Sequence, residues 1–146
     1  MRWVVVDASV AVKWLLPTQP EEADVDQALQ LLQAIRNQER LLLQPPHFLA
    51  ELIGVIVRLA PDYAEPLFAA VKQMDIACAD SEVVYLTALR MSNALNHHLF
   101  DTLYHAAALS APDAVLITAD AGYYRKAHGM GKILLLQDYQ SDGPCQ

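Results

Sequence analysis

Five short apolar runs, rich in branched and large aliphatic residues and separated by longer stretches with helical spacing, leave this chain few folds to choose from. Trp3–Val6, Arg40–Gln44, Ile76–Ala79, Ala114–Thr118 and Ile133–Leu136 are too short for helices and read as buried strands. Between them the spacing predicts helices over Ser9–Leu16, stopped by Pro17, and over Glu21–Gln38, with acidic residues in its first turn. A third helix runs from Pro46 to about Ala60 and resumes beyond Pro61 over Asp62–Met74. Further helices are predicted over Ser81–Ala94, Asp101–Ser110 and Asp120–His128. Parallel strands need crossovers of a dozen or more residues, and each gap between strands has room for a helix. The expected class is therefore α/β, with a short, mainly parallel central sheet between helical layers.

At 146 residues the chain suits one domain, expected over residues 1–140, with a flexible tail over 141–146. It contains no repeats, low-complexity tracts or linker-like stretches. No apolar run approaches the ~18–20 residues that cross a bilayer. The opening residues also lack the basic region and cleavage site of a secretory signal, so a cytoplasmic location is expected. Cys78 and Cys145 are too few for a disulfide framework and read as incidental thiols.

Carboxylates recur where an α/β sheet places its ligands, beyond the carboxyl ends of strands. Asp7 ends the first run, and Asp120 follows the fourth by two residues. Glu51 lies one turn into the helix after the second strand, and Asp101 opens a later helix. Taken singly, Asp101 and Asp120 read as ordinary helix caps, and Asp7 as a cap of the first helix, although Ser9 is available for that work. Glu51 is harder to dismiss, because its apolar flanks demand a partner such as Arg58 or Arg90. Four converging carboxylates would repel one another unless a hard divalent cation, Mg²⁺ or Mn²⁺, held them. Such a cluster suits phosphodiester chemistry. The net charge of −7 opposes a phosphate-bearing substrate, but a four-carboxylate metal site would account for more than half of it.

These segments resemble the four motifs of the PIN-domain family, and of its VapC-type toxins in particular. The first is Val5-Val6-Asp7-Ala8-Ser9, and the second is Gln44-Pro45-Pro46-His47-Phe48-Leu49-Ala50-Glu51. Phe100-Asp101-Thr102-Leu103-Tyr104 and Leu116-Ile117-Thr118-Ala119-Asp120 are similar to the third and fourth. All four occur in order, and the likeness spans Arg2 to about Tyr139. It implies a PIN-like three-layer fold and a Mg²⁺- or Mn²⁺-dependent endoribonuclease that cleaves RNA. It further implies a homodimer and inhibition by a cognate antitoxin. Asp7, Glu51, Asp101 and Asp120 would be the metal ligands, with Ser9 and Thr118 as polar supports. The chain departs from the family at Gly54, where Asn is common, and at Ala121-Gly122-Tyr123-Tyr124, where basic residues often follow the fourth motif.

Other residues divide between functional and structural roles. His105 shares a helix face with Asp101, but packing or hydrogen bonding is favoured over ligation. His97 and His98 read as surface residues at a helix joint. Lys13, Arg125, Lys126 and Lys132 are candidate phosphate contacts or a solvated face in equal measure. Trp14, Tyr123 and Tyr124 fit a core or interface better than base stacking. The helices over 21–38 and 62–74 either clamp a partner or pack on the chain's own sheet. A phosphatase of the haloacid-dehalogenase type is disfavoured, because its second Asp would fall at Ser9. A non-catalytic PIN-like module that binds protein or RNA is the alternative from a different class.

Overall fold

The computed structural model describes residues 1–20 and 22–141. The flexible tail expected over 141–146 therefore falls, apart from Ser141, outside the described residues.

Val4, Val5 and Val6 have no solvent exposure and form the heart of β1 (Trp3–Val6). β2 (Leu41–Gln44), β3 (Ile76–Cys78), β4 (Ala114–Thr118) and β5 (Ile133–Leu135) complete a parallel sheet in the order β3-β2-β1-β4-β5. The chain builds outward from β1 through β2 and β3, then returns to the other flank of β1 for β4 and β5. The reversal of strand order falls between β1 and β4. Open α/β sheets place their ligand crevice at such a point, beyond the strand ends.

Pairing of β1 with β2 covers Trp3 and Val4, whereas pairing with β4 continues to Val6. The buried Gln44 side chain bonds to Val6 where β2 drops away.

The helices are α1 (Ala8–Leu15), α2 (Val25–Arg36), α3 (Phe48–Leu59), α4 (Ala64–Lys72), α5 (Glu82–Leu95), α6 (Leu99–Leu109) and α7 (Ala121–Ala127). α1 packs against α2 and α3. α6 lies along β1, β4 and β2 and is covered in turn by α5. Its Ala106-Ala107-Ala108 run is wholly buried, and such small side chains permit close approach of both neighbours. The main core joins β1, α1, α2, α3, α6 and β4, and a smaller cluster of Val84, Ala88, Met91, Leu103 and Ala106 glues α5 to α6.

Several helix starts differ from the sequence expectation. The second helix begins at Val25 rather than Glu21, which is itself outside the described residues, and Asp24 before it is left-handed (φ 57°). Pro61–Tyr63 forms a single 3₁₀ turn before α4. α6 begins at Leu99, so Asp101 stands inside its first turn instead of opening it. The left-handed Asn96 (φ 49°) closes α5 and turns the chain early enough for Leu99 and Phe100 to join the helix. Among the described residues no helix is long and apolar enough to cross a membrane.

Candidate active site

Asp7 follows β1 directly and occupies the N-cap position of α1, yet its carboxylate caps nothing. Both oxygens are taken by hydroxyls: Ser9 donates to Oδ1 and Thr118, at the end of β4, donates to Oδ2. Ser9 Oγ in turn accepts from the Ala119 backbone N–H at 3.2 Å, and Thr118 Oγ1 from that of Asp120 at 3.0 Å. The two strands flanking the reversal point are thus laced together through one carboxylate. Burial pushes the Asp7 carboxyl up to about 6 despite these bonds, and the charges of Asp101 and Asp120 push in the same direction.

Glu51, on α3, also has a raised pKa, through burial first and then repulsion from Asp101 and Asp7. Its nearest basic neighbour is neither Arg58 nor Arg90 but His47, one turn earlier at 3.7 Å. His47 donates from Nε2 to the Phe100 carbonyl at 2.7 Å, and burial lowers its pKa, so it brings Glu51 no positive charge at neutral pH. The Tyr104 hydroxyl has no hydrogen bond of ordinary geometry, but it faces Glu51 closely enough to steady that carboxylate.

Asp120 is a true cap, accepting the Tyr123 backbone N–H at 3.0 Å. A Cβ at Gly122 would sit 3.3 Å from Asp120 Oδ1, so the glycine gives that carboxylate its room. Asp101 accepts from His97 Nε2 at 2.7 Å. His97 therefore belongs to the site rather than to the general surface expected of it. The i,i+4 spacing of His97 with Asp101, and of His47 with Glu51, is the signal in the sequence that would have found both.

At the carboxyl edge of the sheet Asp7 feels the charges of Asp101 and Asp120, and Glu51 feels those of Asp101 and Asp7. Among the described residues, no three acidic, histidine or cysteine side chains stand close enough to grip a metal ion as placed. The chemistry of the donor set nonetheless suits a hard divalent cation. It is all oxygen, it repels itself, and it has raised carboxyls with no lysine or arginine among their hydrogen-bond partners.

Other expected contacts resolve differently. Lys13 is buried and paired with Glu22, and Lys132 donates to the Ala111 carbonyl. Lys126 lies 3.2 Å from His97 Nδ1, beside the site. Trp14 is core, its indole N–H donating to the Ala28 carbonyl at 2.8 Å. Tyr123 is buried and Tyr124 stacks on His128. His105 is fully buried, bonding through Nε2 to the Gly131 carbonyl and through Nδ1 to the Tyr123 hydroxyl, the structural role favoured for it.

No family model and no curated protein matches the chain in sequence. Solved structures do match it in shape. A chain of VapBC2 from Rickettsia felis, in the crystal structure bound to a DNA fragment from their promoter, superposes with a TM-score of 0.65 at 13% identity. The match covers 92% of this chain and 97% of that one. A chain of VapBC-1 from nontypeable Haemophilus influenzae gives 0.64 at 17% identity, covering 94% and 99%. This chain has the VapC-type PIN fold. At these identities the likeness is one of architecture. Within that PIN fold the four motifs supply the carboxyl edge beside the reversal point, and His47, His97 and Tyr104 surround the acids they carry.

Proposed function

We propose that this chain is a metal-dependent endoribonuclease and the toxin half of a VapBC-type toxin–antitoxin pair. The observation that carries the reading is Asp7: a half-buried carboxylate held by two hydroxyls at the reversal point, with the charges of three more acids acting with it. A buried acid with a raised pKa inside a carboxylate cluster is costly to stability and marks a functional site. Asp7, Glu51, Asp101 and Asp120 would hold Mg²⁺ or Mn²⁺. Such an ion, when bound, supplies charge compensation and a water acidic enough to attack a phosphodiester at neutral pH. Ser9 and Thr118 fix the direction of Asp7, and Tyr104 steadies Glu51.

The surroundings suit an unpaired nucleic-acid strand. Phe100 is 63% exposed and stacks on His47 (centroids 5.4 Å apart, planes 24°), offering a base a ring beside Asp101. Lys126 and Arg125 stand on α7 on the same side. For the antitoxin, a cleft of about 350 Å³ lies at the opposite edge of the sheet, lined by Leu32 and Ile35 of α2 and by Ala70, Val71 and Met74 at α4. The exposed Val83, Leu86 and Leu89 on α5 are apolar surface that a second copy would cover.

The net charge of −7 favours the other reading, a PIN-like module that binds without cleaving. Incubating total cellular RNA with the protein plus Mg²⁺ or Mn²⁺, with EDTA, and with Asp7→Asn separates the two. Discrete products that vanish with EDTA and in the variant support the ribonuclease. RNA or antitoxin binding with no cleavage under any metal supports the module. RNA affinity that does not fall as salt rises argues against both RNA readings.

A further inference from the structure

His97 stands at the joint between α5 and α6. Asn96 is left-handed, and the His97 backbone N–H reaches back to the Ser92 carbonyl at 3.2 Å, so the residue is anchored before its side chain makes any contact. Its ring leans on Tyr123 (centroids 4.9 Å, 52°), the residue whose backbone is capped by Asp120. One ring nitrogen, Nε2, is 2.7 Å from Asp101 Oδ2, and the other, Nδ1, is 3.2 Å from Lys126 Nζ.

The two contacts decide where the ring proton lies. An ammonium group has donors and no acceptor. A bond from Lys126 therefore requires a lone pair on Nδ1, which leaves the proton on Nε2, aimed at the Asp101 carboxylate. A contact of this kind contributes little to stability, because the Asp101 side chain is 38% exposed and water screens such pairs. What it does supply is direction. It ties down one oxygen of a carboxylate that would otherwise swing freely at the mouth of the site.

We propose that His97, held in its Nε2–H tautomer by Lys126, is the positioning residue of Asp101, fixing one carboxylate oxygen so that the other is presented to the divalent cation. The role rests on the metal-dependent reading above. It also joins the acids into one unit, since the ring that orients Asp101 packs on the residue capped by Asp120. Hydrogen bonds to a liganding carboxylate of this kind change metal affinity about 10- to 100-fold when removed.

Calorimetric titration with Mn²⁺ of the wild type, His97→Ala, His97→Gln and Lys126→Met tests this, with urea unfolding as a check that each variant is folded. His97→Ala should bind Mn²⁺ at least about 10-fold more weakly. His97→Gln, whose amide also donates near the Nε2 position, should recover most of the loss, and Lys126→Met should fall between. Long-range ¹H–¹⁵N spectra of the metal-free wild type should show the Nε2–H tautomer at His97, giving way to a mixture in Lys126→Met. A folded His97→Ala that binds Mn²⁺ as tightly as wild type overturns the proposal. So does a His97→Gln no better than Ala, or an Nδ1–H ring in the wild type. Wild type that binds no Mn²⁺ at all overturns the metal reading itself, whatever the tautomer.

Discussion

The Gln44 carboxamide completes the hydrogen bonding of Val6: the Val6 N–H donates to Oε1 at 3.0 Å, and Nε2 donates to the Val6 carbonyl at 2.8 Å. A side chain from β2 thereby does what the next residue of a longer strand would do, one residue before Asp7. Gln44→Leu leaves two buried backbone groups unpaired, each worth about 1–3 kcal/mol. Urea unfolding should show a loss of about 2–4 kcal/mol with the slope unchanged. An unaltered midpoint would mean that water or another group serves Val6 equally well.

Asp7→Asn should abolish metal-dependent cleavage and, in metal-free protein, stabilise the fold. The folded carboxyl titrates near 6 against 3.8 in the unfolded chain, so the folded state holds the extra proton between those values. Stability therefore falls as pH rises through that window, by about 3 kcal/mol if the whole shift is expressed. The advantage of Asp7→Asn over wild type should be small at pH 4 and grow to its full value above pH 6. Melting curves across pH check this, and a gap that narrows as pH rises would contradict it.

Mn²⁺ should reverse that penalty. A ligand that binds only the folded state at 100 times its Kd adds about 2.7 kcal/mol. The wild type should gain melting temperature with Mn²⁺ at pH 7, and Asp7→Asn should not. Equal gains in both proteins would place the ion elsewhere.

His105 carries an opposite pH dependence. Burial lowers its pKa below the ordinary 6.5, while its bonds to Gly131 and Tyr123 use the neutral ring. Its contribution is complete above pH 6.5 and is lost as pH falls through its lowered folded value. His105→Gln should be less stable than wild type at pH 8, by about 1–3 kcal/mol, and the difference should shrink in acid.

Lys13 and Glu22 form a largely enclosed ion pair, with side chains 6% and 19% exposed. Removing one partner of a buried pair strands the other, at about 3–5 kcal/mol. Glu22→Gln should therefore destabilise strongly while leaving RNA affinity in the folded protein unchanged. A weakened RNA affinity with normal stability would return Lys13 to the list of phosphate contacts.

Much of the architecture is legible in the sequence because its punctuation is local. Val4-Val5-Val6 before Asp7, and Ala114–Thr118 before Asp120, announce strands whose ends must meet a helix. Contacts between distant elements leave no such trace. Nothing in the spacing says that Gln44 reaches Val6, 38 residues away, or that Lys126 reaches His97, 29 away. Lys13 looks like a surface cation because its partner lies beyond a proline turn. The strand order, which brings Thr118 to Asp7, is a property of the whole sheet rather than of any motif.

That last contact spans 111 residues, and it has a consequence for timing. A chain emerging from the ribosome carries Asp7, Glu51 and Asp101 before β4 exists, with the β4 flank of β1 still bare. Asp7 gains its second hydroxyl, and Asp120 joins it, only once β4 and the residues just after it have been made. A product that ends between α6 and β4 holds three of the four acids and no site, so whatever chemistry the cluster performs is withheld until β4 has been made.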